Sequence, residues 1–79
     1  MSRDKKRFFK RVLSECGIDV FQKDMKTLKL KERANIGHKG SWTKDIYNLT
    51  MKDGTVYECI IEPTSIYSGS MKYSAREVR

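Results

Sequence analysis

Residues 44–62 read KDIYNLTMKDGTVYECIIE, and this stretch predicts the β-hairpin that decides the fold class. Lys52-Asp53-Gly54 fits a type I turn in which Gly54 is the left-handed bulge residue. In the register that this turn sets, Leu49 faces Tyr57. One hairpin face is rich in large apolar residues and is expected to be buried: Tyr47, Leu49, Met51, Tyr57, Cys59 and Ile61. The other face carries Ile46, Val56 and Ile60, which favours a central strand pair partly covered by a helix.

Residues 3–16 predict the helix that would cover this hairpin. Their apolar positions recur at spacings of one, three and four and form a single stripe, consisting of Phe8, Phe9, Val12, Leu13 and Cys16. Ser2 suits the N-cap, and Gly17 suits a left-handed C-terminal stop. After such a stop, Ile18 is expected to fold back onto Leu13.

The other segments predict short strands. Residues 18–33 favour an extended chain, because apolar and basic side chains alternate over 26–33. The good helix formers in this segment leave a helix through 23–34 as the alternative. Pro63 is expected to end the hairpin, and residues 64–79 suit one short edge strand followed by a fraying tail.

These elements fit one small domain, residues 1–79, since a chain of this length has room for a single core. The predicted fold class is α+β. An N-terminal amphipathic basic helix would pack on a mainly antiparallel sheet of four to five short strands.

The net charge of the chain lies entirely in its first half. Residues 1–40 contain 12 Lys or Arg and 5 Asp or Glu, whereas residues 41–79 contain 5 of each, so the first part carries the whole formal charge of +7. Such an asymmetry is typical of a surface that meets phosphate or another polyanion. The predicted helix adds to this, because Arg3, Lys5 and Lys6 oppose the helix dipole in its first turn without local compensation.

We therefore predict a small basic nucleic-acid-binding module that contacts the backbone of RNA or DNA, with weak sequence specificity and without catalysis. One continuous positive surface is expected from the helix 3–11, the strand face 29–33 and the loop 37–44. Arg7 and Arg11 are the best candidates for bidentate phosphate contacts. The predicted site residues are Arg3, Lys6, Arg7, Lys10, Arg11, Lys29, Lys31, Arg33, His38, Lys39, Trp42 and Lys44.

The loop residues Ile36-Gly37-His38-Lys39-Gly40 resemble the Ile-Gly-x-x-Gly loop of KH domains. That resemblance implies backbone clamping by loop amides. It does not extend to the KH fold, because residues 47–51 favour a strand where the family has a helix. Lys39-Gly40-Ser41 is similar to a segment of HicA-type toxins, but Trp42 stands where those toxins carry their working histidine, so RNA cleavage is not expected. Trp42 has two interpretations, a core anchor or a stacking platform for an unpaired base.

The sequence gives little support for catalysis, for metal or cofactor binding, or for a membrane span. The one imidazole, His38, lies between glycines, without a carboxylate dyad or a nucleotide-binding motif. Cys16 and Cys59 with one His cannot supply four zinc ligands, so neither a metal nor a cofactor nor a small-molecule substrate is expected. The chain lacks the ~20 apolar residues of a membrane span. It also lacks a secretory signal, which favours the cytoplasm and reduced cysteines.

Two alternatives to nucleic-acid binding remain. An effector of the phage or mobile-element type would inhibit a host nucleic-acid-handling protein by docking its basic face on an acidic groove. A membrane-surface protein would lay the helix 3–16 on anionic lipid with Phe8, Phe9 and Leu13 inserted. The second alternative ranks lower, because a small core needs those apolar residues.

Overall fold

A single helix and four strands make up the fold in a computed structural model that describes residues 1–37, 42–64 and 69–79. Helix α1 spans Arg3–Glu15, and a 3₁₀ turn spans Gln22–Asp24. The strands are Met25–Asn35 (β1), Thr43–Met51 (β2), Val56–Pro63 (β3) and Met71–Glu77 (β4). They form one antiparallel sheet in the order β1-β2-β3-β4, and α1 packs on one of its faces. The predicted α+β fold class is confirmed.

The hairpin β2–β3 forms in the predicted register. Leu49 pairs with Tyr57, and Tyr47 pairs with Cys59. At the turn, the Gly54 N–H donates to the Met51 carbonyl at 3.0 Å, and Gly54 has a φ of 94°. A residue with a Cβ is strained in this left-handed conformation, which explains the glycine. Both strands lie in the middle of the sheet, as the apolar residues on their two faces predict.

Both ends of α1 are capped as the sequence predicts, although the helix ends at Glu15, one residue early. The Ser2 hydroxyl accepts the Lys5 N–H at 3.2 Å. At the other end, Gly17 has a φ of 81°. The Ile18 N–H, brought back by this left-handed residue, donates to the Leu13 carbonyl at 2.9 Å. This bond occupies a carbonyl that has no partner within the helix, so the chain leaves α1 at a fixed angle.

The core lies between α1 and the predicted apolar face of the hairpin. Its buried members are Phe9, Val12, Leu13, Val20, Met25, Leu49, Met51 and Cys59. Phe9 contributes an edge-to-face contact with Tyr47, with ring centroids 5.2 Å apart. Phe8 departs from the predicted stripe, because 37% of it is exposed and its ring lies against the edge of Tyr73. Burial of each large side chain contributes about 1.5–3 kcal/mol, so this one layer supplies most of the stability.

In strand β1, the alternation of apolar and basic residues predicts the strand but not the face on which its last residues lie. The strand itself is confirmed and the alternative helix through 23–34 is wrong, although the 3₁₀ turn before it was not predicted. Leu30 pairs with Tyr47 while Glu32 pairs with Ile46, so Lys31 is an extra residue in a β-bulge. A bulge shifts the residues that follow it to the opposite face of the sheet.

The predicted fraying tail is wrong. The Val56 N–H donates to the Arg79 carbonyl at 2.8 Å, and the Val78 N–H donates to the Val56 carbonyl at 2.8 Å. These bonds continue the pairing of β3 with the chain beyond β4. The C-terminus is therefore held against the start of β3, because this backbone would otherwise leave donors unpaired beside the sheet.

Candidate nucleic-acid interface

The outer face of α1 carries three arginines at intervals of four residues. Arg3, Arg7 and Arg11 are exposed and lie on the side of the helix opposite the buried Phe9 and Leu13. At a rise of 1.5 Å per residue, the row is about 12 Å long. We refer to these three arginines as the α1 ridge.

The α1 ridge is only weakly neutralised. The Arg11 Nε lies 3.6 Å from the Glu15 Oε1, but both side chains are at least half exposed, so the attraction is small. Within residues 1–37, 42–64 and 69–79, Arg3 and Arg7 form no ion pair. Like charges four residues apart also repel each other by a few tenths of a kcal/mol per pair. The ridge therefore keeps a positive potential that costs the free protein stability.

Lys6 and Lys10 lie half-buried on the flank of the ridge. The Lys10 Nζ donates to the Val20 carbonyl at 3.1 Å and lies 5.5 Å from the ring centroid of Phe21. The Lys23 Nζ is 5.7 Å from the same centroid. Lys10 thus has a structural contact, which ties the segment after α1 to the helix, and it keeps its charge beside the ridge.

A second set of cations lies on the sheet face that α1 does not cover, which we call the open face. The Lys31 Nζ is 3.0 Å from the Glu58 Oε2, and the Arg76 Nε is 3.2 Å from the Glu58 Oε1. The Glu58 side chain is only 10% exposed. The hydrogen bond from Lys31 lowers the pKa of the Glu58 carboxyl, and the charge of Arg76 adds to this effect. One carboxylate therefore pairs with two cations at the centre of the open face and cancels one of their two charges.

The bulge in β1 places Arg33 on a different face of the sheet from Lys29 and Lys44. Arg33 lies beyond it, and its Nε and Nη2 bond the Asp45 Oδ1 and Oδ2 at 2.9 and 3.2 Å. This two-pronged bond lowers the pKa of the Asp45 carboxyl. Lys29, opposite Asn48, and Lys44, opposite Ala34, are on the open face, and neither forms an ion pair with a described residue.

The structure does not bring the predicted site residues onto one surface. Helix α1 packs on the face that includes Leu28 and Leu49, whereas Lys29 and Lys31 belong to the open face. The α1 ridge in turn points away from the sheet. The two sets of cations are therefore separated by the full thickness of the helix and sheet layers, and the expected continuous positive surface is divided in two.

The predicted loop residues lie partly outside the described ranges, which omit His38, Lys39 and the rest of 38–41. Trp42 is half-buried. A Cβ at position 37 would lie 2.9 Å from the Trp42 Cβ, so Gly37 permits close approach of the tryptophan to the backbone. The Ile36 N–H also donates to the Trp42 carbonyl at 3.1 Å. Trp42 thus helps to join β1 to β2.

An apolar cleft lies beside the first turns of α1. It is open to solvent on one side and has a volume of ≈ 520 Å³. Its apolar lining consists of Phe8, Phe9, Leu28, Leu30, Tyr47 and Ile61. Leu30 is 45% exposed. The cleft exists because α1 leaves the part of the sheet near β1 uncovered.

Several kinds of chemistry find no site in the described residues. These residues contain no group of three or more His, Cys, Asp or Glu that would hold a metal ion. Cys59 is fully buried, and burial raises the pKa of its thiol to about 12, which makes it unreactive at neutral pH. No helix in the described ranges has both the length and the apolarity to cross a membrane. Insertion of Phe9 and Leu13 into lipid is also contradicted, because both are buried in the core.

Sequence reasoning missed two residues that matter here. Glu58 pairs with two cations of the open face, and a carboxylate in the middle of a predicted central strand was the available signal, since such a group is rarely buried without a cationic partner. Phe21 lies in the segment 18–33 that was predicted to be extended, and its backbone is extended, but it precedes the 3₁₀ turn with 61% of its surface exposed. No sequence pattern distinguishes this ring from a core phenylalanine.

Protein-family models, curated proteins and solved structures yield no match to this chain. A fold of this class is in any case compatible with many functions, so the site has to carry the functional conclusion. Its two distinctive features are the unpaired cations of the α1 ridge and the exposed ring of Phe21 close to Lys10 and Lys23.

Proposed function

We propose that this protein binds the phosphate backbone of nucleic acid through the α1 ridge and the flanking Lys6 and Lys10. The observation that supports this most is the contrast in pairing: Arg3 and Arg7 have no carboxylate partner among the described residues, whereas Lys31 and Arg33 do. A free cation releases the counterions of a phosphate without first breaking an ion pair. The arginines also present planar forks that fit phosphate oxygens.

Binding of this kind is backbone-directed, with weak sequence specificity. The row of three arginines is about 12 Å long. It therefore spans about three to four phosphates of one strand, which lie one per 3.4 Å of duplex axis. The function involves no catalysis, no cofactor and no small-molecule substrate. It is exercised in the cytoplasm, where Cys16 and Cys59 stay reduced.

The test is a titration of fluorescent single- and double-stranded DNA and RNA at about 50 and 200 mM salt. With about five phosphate contacts, the affinity should fall ~10²–10³-fold across this range. No detectable binding at the lower salt concentration would overturn the proposal.

A pair of charge-matched variants locates the surface. Arg3→Gln/Arg7→Gln/Arg11→Gln and Lys29→Gln/Lys44→Gln/Lys72→Gln each lower the formal charge from +7 by three. The first variant should weaken binding about 100-fold and reduce the salt slope by about 2–3, because three phosphate contacts are lost. The second variant should stay within a few fold of the parent. Equal losses would show that net charge, and not the ridge, determines binding.

The effector alternative is kept as a second candidate because of the apolar cleft beside α1. Leu30 and Phe8 are exposed there, next to the basic first turn of the helix. An apolar centre with a charged rim is typical of protein interfaces. An inhibitor of a host nucleic-acid-handling protein would bind one acidic partner stoichiometrically, and both Leu30→Glu and Lys5→Glu, at two residues that line the cleft, would abolish that complex. Retention of the complex by either variant would contradict docking through this region.

A further inference from the structure

We propose that the nucleic acid bound by the α1 ridge is single-stranded, and that one of its bases stacks on the ring of Phe21. This inference rests on the proposed function, which concerns phosphate alone. It adds the strand state of the ligand and a second contact of different chemistry.

The aromatic side chain of Phe21 is exposed to solvent, and the backbone on both sides of it is fixed by contacts with the rest of the fold. Its ring is 61% exposed, the most of any large hydrophobic residue in the described part of the chain. On one side, Val20 is buried in the core. On the other, the Phe21 carbonyl accepts the Asp24 N–H at 3.1 Å and begins the 3₁₀ turn. The chain therefore presents the ring to solvent in a set place, at the cost of the stabilisation that its burial would give.

Two ammonium groups lie over this ring, so a base that stacks on it takes the place of one of them, and the displaced ammonium stays within reach of the phosphate of that nucleotide. Lys10 and Lys23 have their Nζ atoms 5.5 and 5.7 Å from its centroid. A shallow depression of ≈ 320 Å³ extends from Gln22, the neighbour of Phe21, to Arg7 and Arg11 on the α1 ridge. Phe21 does not line this depression, and Glu15 does, but the depression brings the cations of α1 next to the residue that follows the exposed ring. An aromatic surface beside positive charges is the pairing of features that single-stranded nucleic acid recognises.

The charges on the far side of Phe21 set the direction of the strand. Phe21 itself lines a depression on that side, together with three carboxylates and one cation: Asp19, Asp24, Asp53 and Lys52. These carboxylates repel phosphate, so a bound strand runs from Phe21 along α1 and not toward the β2–β3 turn.

The sheet offers no competing stacking surface in the described residues. Tyr47, Tyr57 and Tyr73 all lie on the face packed against α1. In a duplex, moreover, the bases are paired and stacked internally, and a base reaches an outside ring only after it has been extruded. A strand with free bases therefore gains the Phe21 contact and a duplex does not.

The experiment compares Phe21→Leu with Phe8→Leu, the same chemical change at an aromatic of α1 that faces Tyr73. The probes are a 12-nucleotide deoxythymidine strand, a 12-base-pair DNA duplex and inorganic polyphosphate, a polyanion without bases. Phe21→Leu should weaken binding of the single strand about tenfold. Its affinity for polyphosphate and its salt slope should match those of the parent. Phe21→Trp should bind the single strand at least as well as the parent, and Phe8→Leu should change its affinity less than about threefold.

The outcomes separate this inference from the proposed function. If the parent binds polyphosphate and the oligonucleotides but Phe21→Leu loses nothing, or if the duplex binds more tightly than the single strand, the base-stacking inference is overturned while phosphate binding stands. If the parent binds none of the three probes at about 50 mM salt, the proposed function itself fails. Circular dichroism of each variant confirms that the fold is retained.

Discussion

The cations of α1 and those of the sheet are the same residue types in opposite circumstances. On the sheet, Lys31 and Arg76 both form ion pairs with Glu58. Arg33 donates two hydrogen bonds to the Asp45 carboxylate. On the helix, Arg3 and Arg7 have no such partner among the described residues, and their neighbours at four-residue spacing are also positive. The first group helps to hold the strands together. The second lowers the stability of the helix, a cost that the binding function proposed above accounts for.

The largest effect should come from reversing the carboxylate that the strand cations share. Glu58→Lys places a third positive charge between Lys31 and Arg76 at a site that is almost buried. We expect the free energy of unfolding, measured by urea denaturation, to fall by about 2–3 kcal/mol. Glu62→Lys, on the same face of β3, is the control and should cost less than half as much. Equal losses would mean that Glu58 is not the centre of a network.

Reversing the charge of a ridge arginine should raise the stability of the protein and weaken its binding to nucleic acid. Arg7→Glu removes two repulsive pairs and creates attractive ones with Arg3 and Arg11, so stability should rise by a few tenths of a kcal/mol. Affinity for a single-stranded oligonucleotide should nevertheless fall about 10–100-fold, because a phosphate contact becomes a repulsion. A variant that lost stability and binding together would place Arg7 among the structural cations.

The pH dependence of stability should report the ion pairs of the sheet, with a further contribution from Asp53, whose pKa is lowered by the hydrogen bond from the Thr55 N–H. The pKa values of Glu58 and Asp45 are lowered in the folded protein, chiefly by hydrogen bonds from Lys31 and Arg33. Their contribution is therefore complete above the pKa of the unfolded chain and is lost as the pH falls through the folded pKa. The free energy of unfolding should drop from about pH 5 downward. In Glu58→Gln the drop should be shallower, and an unchanged slope would contradict the assignment.

Added salt should give the smallest change in the free energy of unfolding. It screens the repulsion along α1, but it also weakens the ion pairs of the sheet, so the parent alone is uninformative. The difference between the parent and Arg3→Gln/Arg7→Gln/Arg11→Gln isolates the helix, because the sheet pairs are common to both. From low to high salt, the parent should gain about 0.5 kcal/mol relative to the variant. The absence of any difference would show that the ridge charges do not strain the free protein.

Local signals in the sequence account for much of this fold. The hairpin register, both helix caps and the buried hairpin face were predicted because each depends on neighbouring residues: the turn at Gly54, the stop at Gly17 and the alternation around Leu49. The bulge at Lys31 was not predicted, because it depends on how β1 meets β2. That one extra residue moves Arg33 to the other face and helps to divide the expected positive surface.

The candidate binding site was harder to predict from the sequence, because it too depends on residues that are far apart along the chain. The ridge follows from helical periodicity, so Arg3, Arg7 and Arg11 were found. Which cations are already neutralised depends on cross-strand neighbours such as Glu58, which lies 27 residues from Lys31. Whether an aromatic ring such as that of Phe21 is covered depends on the whole packing arrangement.

The strand order has a consequence for how the molecule opens and closes over time. Strands β2 and β3 are bonded on both sides, whereas β1 and β4 each have one edge without a neighbouring strand among the residues that the structure describes. Exchange of amide hydrogens with deuterated solvent requires these bonds to open. The amides of β2 and β3 should consequently exchange only on global unfolding, and those on the free edge of β1 should exchange within local fluctuations. The slowest-exchanging part of the protein is then the hairpin that residues 44–62 encode.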